Sequence, residues 1–253
     1  MTISPTTASP LHFSRFECKY VLDPARRAAI AADLAPFMKP DERGVADAAA
    51  GYFVRSLYFD DPSLSAFHAK MDGLRTRSKF RLRTYATGPD DPAPWYLERK
   101  GRHDGRVFKH RTLVHAGFDP RARGERLVRE ILRHAAPSAV RDQFEMAVVR
   151  HRLAPLVLVD YRRHAWHSPF SADFRVTIDG QLCTAASDAV WPASAAGRSL
   201  LRGESVMEVK FAQLVPAWFQ RLAQIRELQR RSLSKVCEAI LELGLASGGR
   251  SPR

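Results

Sequence analysis

Along this chain the spacing of apolar residues switches between two periods, and the switches mark out its elements. Apolar and polar residues alternate in "HFSRFECKYVL", which predicts a strand, and "GYFVRSLYFD" reads as a second. Between them, "DPARRAAIAADLAPFM" places Ile30, Leu34, Phe37 and Met38 on one helical face, behind Asp23 as N-cap and Pro24 in the first turn. "PSLSAFHAKM" predicts a short helix or turn, with Asp60 and Asp61 before it as turn residues. "GLRTRSKFRLRTY" is a strand, and "PWYLERKGRHDGRVFKHRTLV" a hairpin about the turn residues of "GRHDG". Two basic helices fill "PRARGERLVREILRHA" and "SAVRDQFEMAVVRHRL". "PLVLVDYRRHAWHS", "ADFRVTIDG" and "SVMEVKF" are further strands. "VPAWFQRLAQIRELQRR" and "SLSKVCEAILELG" are closing helices, the last stopped by Gly244. The interior has no linker rich in Gly, Ser or Pro and no repeat of solenoid length, so residues 11–245 read as one domain between disordered ends, 1–10 and 246–253. The least ordered interior stretches are expected at "KPDERGVADAAAG" and "SDAVWPASAAGRS". The predicted class is α+β.

The polar positions of the strands carry a second pattern. In "GLRTRSKFRLRTY", Arg75, Arg77, Lys79, Arg81 and Arg83 take every other position, so one strand face is a row of cations. Arg15, Glu17 and Lys19 share a face of the first strand, against Phe16, Cys18 and Tyr20. Glu98, Lys100 and Arg102 are in phase, as are Lys109 and Arg111, Tyr161 and Arg163, Arg175 and Thr177, and Glu208 and Lys210. The opposite faces are apolar, with Val176 and Ile178 flanking Arg175, and Met207, Val209 and Phe211 flanking Glu208. Two geometries accommodate this: charged faces turned to solvent, or a sheet closed with its charged faces inward. Solvated faces mix Glu, Lys, Thr and Gln, whereas these are dominated by Arg and Lys, and the planar fork of Arg suits bidentate phosphate contacts. The expectation is a closed antiparallel β-barrel of about eight strands forming a cationic tunnel, with helices outside and at the C-terminus.

Composition agrees. The 40 Lys and Arg against 27 Asp and Glu give a formal charge of +13, which favours anionic partners. Cys18, Cys183 and Cys237 are far apart and form no CxxC pair, which argues against a disulfide framework or zinc finger and fits a reducing compartment. The start, "MTISPTTASP", has neither a basic nor an apolar run, and no apolar stretch approaches the ~20 residues of a membrane helix, so a cytoplasmic protein is expected. The nine histidines show no HxH or HExxH spacing, and there is no GxxxxGK[ST] loop. Nucleic acid is disfavoured because Phe80, on the opposite face, is the single aromatic between Arg75 and Arg83, whereas single-strand binders interleave aromatics with cations.

In their order, "RFECKY", "VRSLYFDD", "GLRTRSKFRLRTY", "LERK", "VFKHR", "DYRR", "FRVTID", "VMEVKF" and "SLSKV" resemble the VTC domain, from Phe13 to Gly244. This is the polyphosphate polymerase domain of vacuolar transporter chaperone complexes, also found as stand-alone bacterial proteins, and a relative of the CYTH-type triphosphate tunnel enzymes. Those cyclases and triphosphatases begin with Glu-x-Glu-x-Lys, where this chain has Arg15, Glu17 and Lys19. The resemblance implies that Lys19, Arg81, Arg83, Lys100, Arg163 and Arg175 are catalytic and that Lys109, Tyr161, Ser234 and Lys235 bind substrate. It implies Glu208 as the carboxylate for a divalent metal, Mn2+ or Mg2+, with Glu17 and Glu98 as auxiliary candidates. Arg55, Arg75, Arg77, Lys79 and Arg111 fit the tunnel wall by alternation, with Arg55 and Lys79 as substrate-binding candidates. Without the resemblance, Lys235 reads as a solvated helix residue and Glu208 as an ion-pair partner of Lys210. The implied activity is transfer of the γ-phosphate of ATP to a polyphosphate chain. The alternatives are a triphosphatase of the same superfamily and a non-catalytic polyphosphate- or nucleic-acid-binding protein. ATP or triphosphate and polyphosphate are the implied partners.

Overall fold

A computed structural model describes residues 16–41, 50–104, 106–192 and 197–247. Strand β1 (Phe16–Leu22) runs into α1 (Pro24–Leu34), where Asp23 accepts the Arg26 N–H at 2.7 Å as the predicted N-cap. Next come β2 (Lys39–Pro40), β3 (Tyr52–Asp60), α2 (Ser65–Met71), β4 (Arg77–Thr84), and the hairpin of β5 (Trp95–His103) and β6 (Arg106–Val114). The basic helices are α3 (Gly124–His134) and α4 (Ala139–His151). The chain continues through β7 (Ala154–His167), β8 (Arg175–Ala186), β9 (Arg198–Ser199) and β10 (Ser205–Phe211) to α5 (Ala217–Ile225) and α6 (Lys235–Glu242). Arg15 and residues 1–10, 42–49 and 193–196 lie outside the described residues. So does the expected tail except for Ala246 and Ser247, which belong to a 3-10 turn.

Every pairing is antiparallel, in the order β1-β10-β8-β7-β3-β4-β5-β6, with β2 attached to β7 and β9 to β8. The expected barrel is not closed: β1 and β6 are edges, and the sheet is a curled half-barrel. Side chains reach across the opening instead, Lys100 Nζ of β5 lying 3.2 Å from the Glu17 carboxylate of β1. Alternation specifies which residues share a face, but closure depends on strand tilt and stagger, which alternation does not encode.

The apolar faces point outward and are covered by helices. On one half, Leu57, Phe59, Phe80, Leu82 and Leu97 pack with Leu127, Ile131 and Phe144 of α3 and α4. The rings of Phe59 and Phe80 meet Phe144 edge-on at 5.1 and 5.4 Å. Phe144 is fully buried, so truncating it to Ala would cost about 3–5 kcal/mol. On the other half, Val176, Ile178, Met207 and Val209 pack against Ile30 and Leu34 of α1 and Phe219 and Leu222 of α5. The concave side is closed at one end by α6, which buries Val236, Ala239 and Ile240 on Val54, Val157 and Val159.

Two local devices shape the concave side. The buried Asp60 carboxylate accepts N–H bonds from Ala66 and Phe67 at 3.0 and 3.1 Å, tying α2 to the end of β3. At Gly101 the side-chain ring of Phe108 crosses so close that a Cβ would lie 2.4 Å from it and 2.5 Å from the Arg77 carbonyl, so the β4–β5–β6 sheet accepts only glycine there.

Candidate anion-binding site

Strand alternation sets Arg77, Lys79, Arg81 and Arg83 of β4 on the concave face, and the register aligns their neighbours. Arg81 lies between Tyr58 of β3 and Glu98 of β5, Arg83 lies beside Ser56, and Lys79 opposes Lys100, which in turn opposes Lys109 of β6. From the other side, β7, β10 and β1 bring Tyr161, Arg163, Glu208 and Lys19. Together with α2 and α6 they enclose a cavity of about 250 Å³. Thirteen Lys and Arg side chains line it against two carboxylates, Glu17 and Glu208, so its walls carry a large excess of positive charge.

The innermost cations are held in place from behind. Arg81 Nε donates to Glu98 at 2.8 Å, and Lys109 Nζ lies 2.8 Å from the other Glu98 oxygen. Glu98 has no solvent exposure. Burial would push its carboxyl up, but Arg81, Arg83 and Lys109 prevail and hold it well below the usual carboxylate range. Arg83 donates to Ser56 at 3.2 Å and to the Tyr161 hydroxyl, and Lys79 donates to Ser234 at 2.8 Å. A second cluster surrounds the fully buried Asp179, which accepts from Arg163 Nε at 2.6 Å and faces Lys235 at 2.6 Å. Lys235 is 3.0 Å from Glu208, whose carboxylate also faces Lys210 at 3.2 Å and Lys19 at 3.8 Å. Burial acts against the charge of Lys235, yet Asp179 and Glu208 hold its pKa above the ordinary lysine value. Burial, assisted by Lys19 and Lys210, brings Lys100 down to about 7 despite Glu17 and Glu208. Lys109 is brought to about 8 by burial and Arg81, against the pull of Glu98.

Of the residues singled out from sequence, Lys19, Lys79, Arg81, Arg83, Lys100, Lys109, Tyr161, Arg163, Ser234, Lys235, Glu17 and Glu208 line this one cavity, as does Arg77. Glu98 sits behind Arg81. The Glu208–Lys210 ion pair is present, but as part of the same lining, and Lys235 is buried rather than solvated. Arg55 is placed differently. It shares the outward face of β3 with Leu57 and Phe59, where it pairs with Asp160 at 2.6 Å and stacks 3.9 Å over Trp191. Arg175 is in phase with the inward face, but at the strand's end it is outside the cavity, 45% exposed and paired with Asp41. Arg75 precedes β4 and pairs with Asp104 on the surface, and Arg111 stacks 4.7 Å from the Tyr96 ring, outside the lining. The sequence reading did not pick out Asp179, Tyr58, Lys70 or Arg231. The phase of Arg175 and Thr177 extends to Asp179, so alternation could have found it; Lys70 and Arg231 come from α2 and the segment before α6, where no strand period applies.

Among the described residues no three His, Cys, Asp or Glu side chains converge as a metal site. Glu208 and Glu17 already face ammonium groups. This donor set does not build a resident metal site. A divalent ion carried in on phosphate oxygens would need one or two protein carboxylates to complete its shell.

A curled sheet with an apolar outer face and this density of cations inside defines a cationic half-barrel. The chain belongs to the VTC domain family, whose model matches residues 14–243. No curated protein matches the sequence. Among solved structures, a protein provisionally assigned as an adenylate cyclase from Vibrio parahaemolyticus is similar over 88% of this chain and 96% of its own, at 11% identity and a TM-score of 0.43. The protein PH1819 of Pyrococcus horikoshii is similar over 92% of this chain and 99% of its own, at 8% identity and a TM-score of 0.46. Likenesses this remote carry no functional argument.

Proposed function

We propose that this chain is a metal-dependent polyphosphate polymerase, transferring the γ-phosphate of ATP to a polyphosphate chain held in the cationic cavity. The observation that carries this reading is the charge of the lining, thirteen cations against two carboxylates. Phosphoryl transfer is catalysed mainly by alignment and by stabilising spread negative charge. Arg81, Arg83, Arg163 and Lys235 supply positive charge for both, joined by Lys100 and Lys109 while these are protonated, with Lys19, Lys79, Tyr161 and Ser234 as further phosphate contacts. The nucleophile is a terminal phosphate oxygen that is already anionic, which suits a site rich in cations and poor in bases. If a divalent metal, Mn2+ or Mg2+, enters on the phosphates, Glu208 would be its contact on the protein and the ion would offset part of their charge. A cytoplasmic location goes with this reading; among the described residues no helix is long and apolar enough to cross a membrane.

The test is to incubate the purified protein with ATP and manganese and assay acid-labile polymer. Polymer is the expected product. Orthophosphate alone would indicate a triphosphatase. Neither product, with polyphosphate outcompeting an oligonucleotide for binding, would indicate a polyphosphate-binding protein without catalysis.

A further inference from the structure

We infer that the Tyr58 hydroxyl is a direct anion contact of the cavity, donating its proton to a phosphate oxygen held by Arg81 and Lys79. This rests on the polyphosphate reading of the site and adds a residue to it. Tyr58 stands near the C-terminal end of β3, on the inward face opposite Arg81, and is 5% exposed while lining the cavity. Lys79 Nζ and Arg81 Cζ each lie 5.8 Å from its ring centroid. Arg81 Nη1 donates to the phenol oxygen at 3.0 Å. A phenol that accepts still has one O–H to give, and among the described residues no acceptor receives it. The arrangement recurs two residues along β4, where Arg83 donates to the hydroxyl of Tyr161, which also lines the cavity. An anion bound between Arg81 and Lys79 would supply the missing acceptor.

The charged and titratable groups around Tyr58 are Asp60 of β3, Lys79, Arg81 and Arg83 of β4, Tyr161 of β7, Lys70 of α2, and Lys235 and Cys237 of α6. Burial would raise the phenol's pKa, but Arg81, Lys79 and Arg83 outweigh it and bring Tyr58 down to about 7. Above neutral pH the ligand-free side chain therefore becomes a phenolate, which neither donates a proton nor tolerates an adjacent anion.

The test compares tripolyphosphate binding by calorimetry for the wild type and Tyr58→Phe, at fixed low salt, at about pH 6.5 and about pH 9. At the lower pH the variant should bind about tenfold more weakly, the loss of one hydrogen bond to a charged partner. At the higher pH it should bind as well as the wild type or better, because phenylalanine cannot ionise. A ratio that does not change with pH would reduce Tyr58 to a support for Arg81 and overturn the inference. If the wild type binds no tripolyphosphate at either pH, the polyphosphate reading itself fails. Should Tyr58→Phe not fold, the wild type alone decides the question by tyrosinate absorbance near pH 8, roughly one unit above the phenol's pKa. Tripolyphosphate should abolish the signal of one tyrosinate, and an unchanged signal would overturn the inference.

Discussion

The two banks of the cavity handle the same kind of charge in opposite ways. On the bank made by β7, β8, β10 and α6, Arg163 and Lys235 share the buried Asp179, while Lys235, Lys210 and Lys19 crowd Glu208. Four cations there share two carboxylates. On the bank made by β4, β5 and β6, Lys79, Arg81, Arg83, Lys100 and Lys109 have Glu98 as the one carboxylate on their own strands, and Glu17 reaches Lys100 from across the opening. The rest of that bank leans on neutral acceptors: Ser56, Tyr58, Tyr161 and Ser234. The first bank binds α6 to the sheet. The second keeps charge available for an anion.

The largest expected effect breaks the compensated bank. Asp179→Ala leaves Arg163 and Lys235 buried without their shared partner and should destabilise the fold by about 3–5 kcal/mol in a denaturant melt. Loss of tripolyphosphate binding with no loss of stability would show that the banks do not differ in this way.

Next come the two arginines of the other bank. Arg83→Ala removes a cation with neutral partners. It should lower tripolyphosphate affinity by roughly tenfold or more, with a smaller fall in melting temperature than Arg81→Ala. Arg81→Ala should cost similar affinity and more stability, because it leaves the buried Glu98 with Lys109 as its remaining ion-pair partner. Equal melting temperatures for the two variants would contradict the pairing.

The pH dependence sharpens the same contrast with a smaller signal. The folded-state values of Lys100, about 7, and Lys109, about 8, lie below the ordinary lysine value of 10.5. Between them and that value the unfolded chain holds more protons, so ligand-free stability should rise with pH across this window. Tripolyphosphate affinity should fall over the same window as these charges are lost. Melts and calorimetry at low salt read the two trends, and parallel trends would count against an anion role for both lysines.

The smallest effects are expected outside the cavity. Arg55→Ala and Arg175→Ala should change tripolyphosphate affinity by no more than about twofold, measured by the same calorimetry. Arg55→Ala should lower the melting temperature alone, since it removes the Asp160 pair and the stack on Trp191.

Most elements and most of the cavity lining were legible because alternation is a local property. Where a strand has one apolar and one charged face, as in β4 or β10, the phase is unambiguous, and Arg81, Arg83 and Glu208 follow from it. In β3 the apolar and aromatic residues fall on both faces, so its single cation, Arg55, was a poor guide to the inward side. Register settles it: Arg55 opposes Thr84, whereas Ser56 and Tyr58 oppose Arg83 and Arg81. For Arg175 the phase was right, but it is the first residue of β8 and lies outside the cavity lining.

The sequence by itself determined the order of strands and helices, the inward phase of the cationic strands and the excess of positive charge, because these depend on neighbours two to four residues apart. Only the tertiary structure decided that the sheet remains an open half-barrel, that α6 brings Lys235 to Asp179 and Glu208, and that Glu98 lies behind Arg81. These contacts join residues far apart in the chain, and their geometry follows from sheet curl and helix packing, which no local period records.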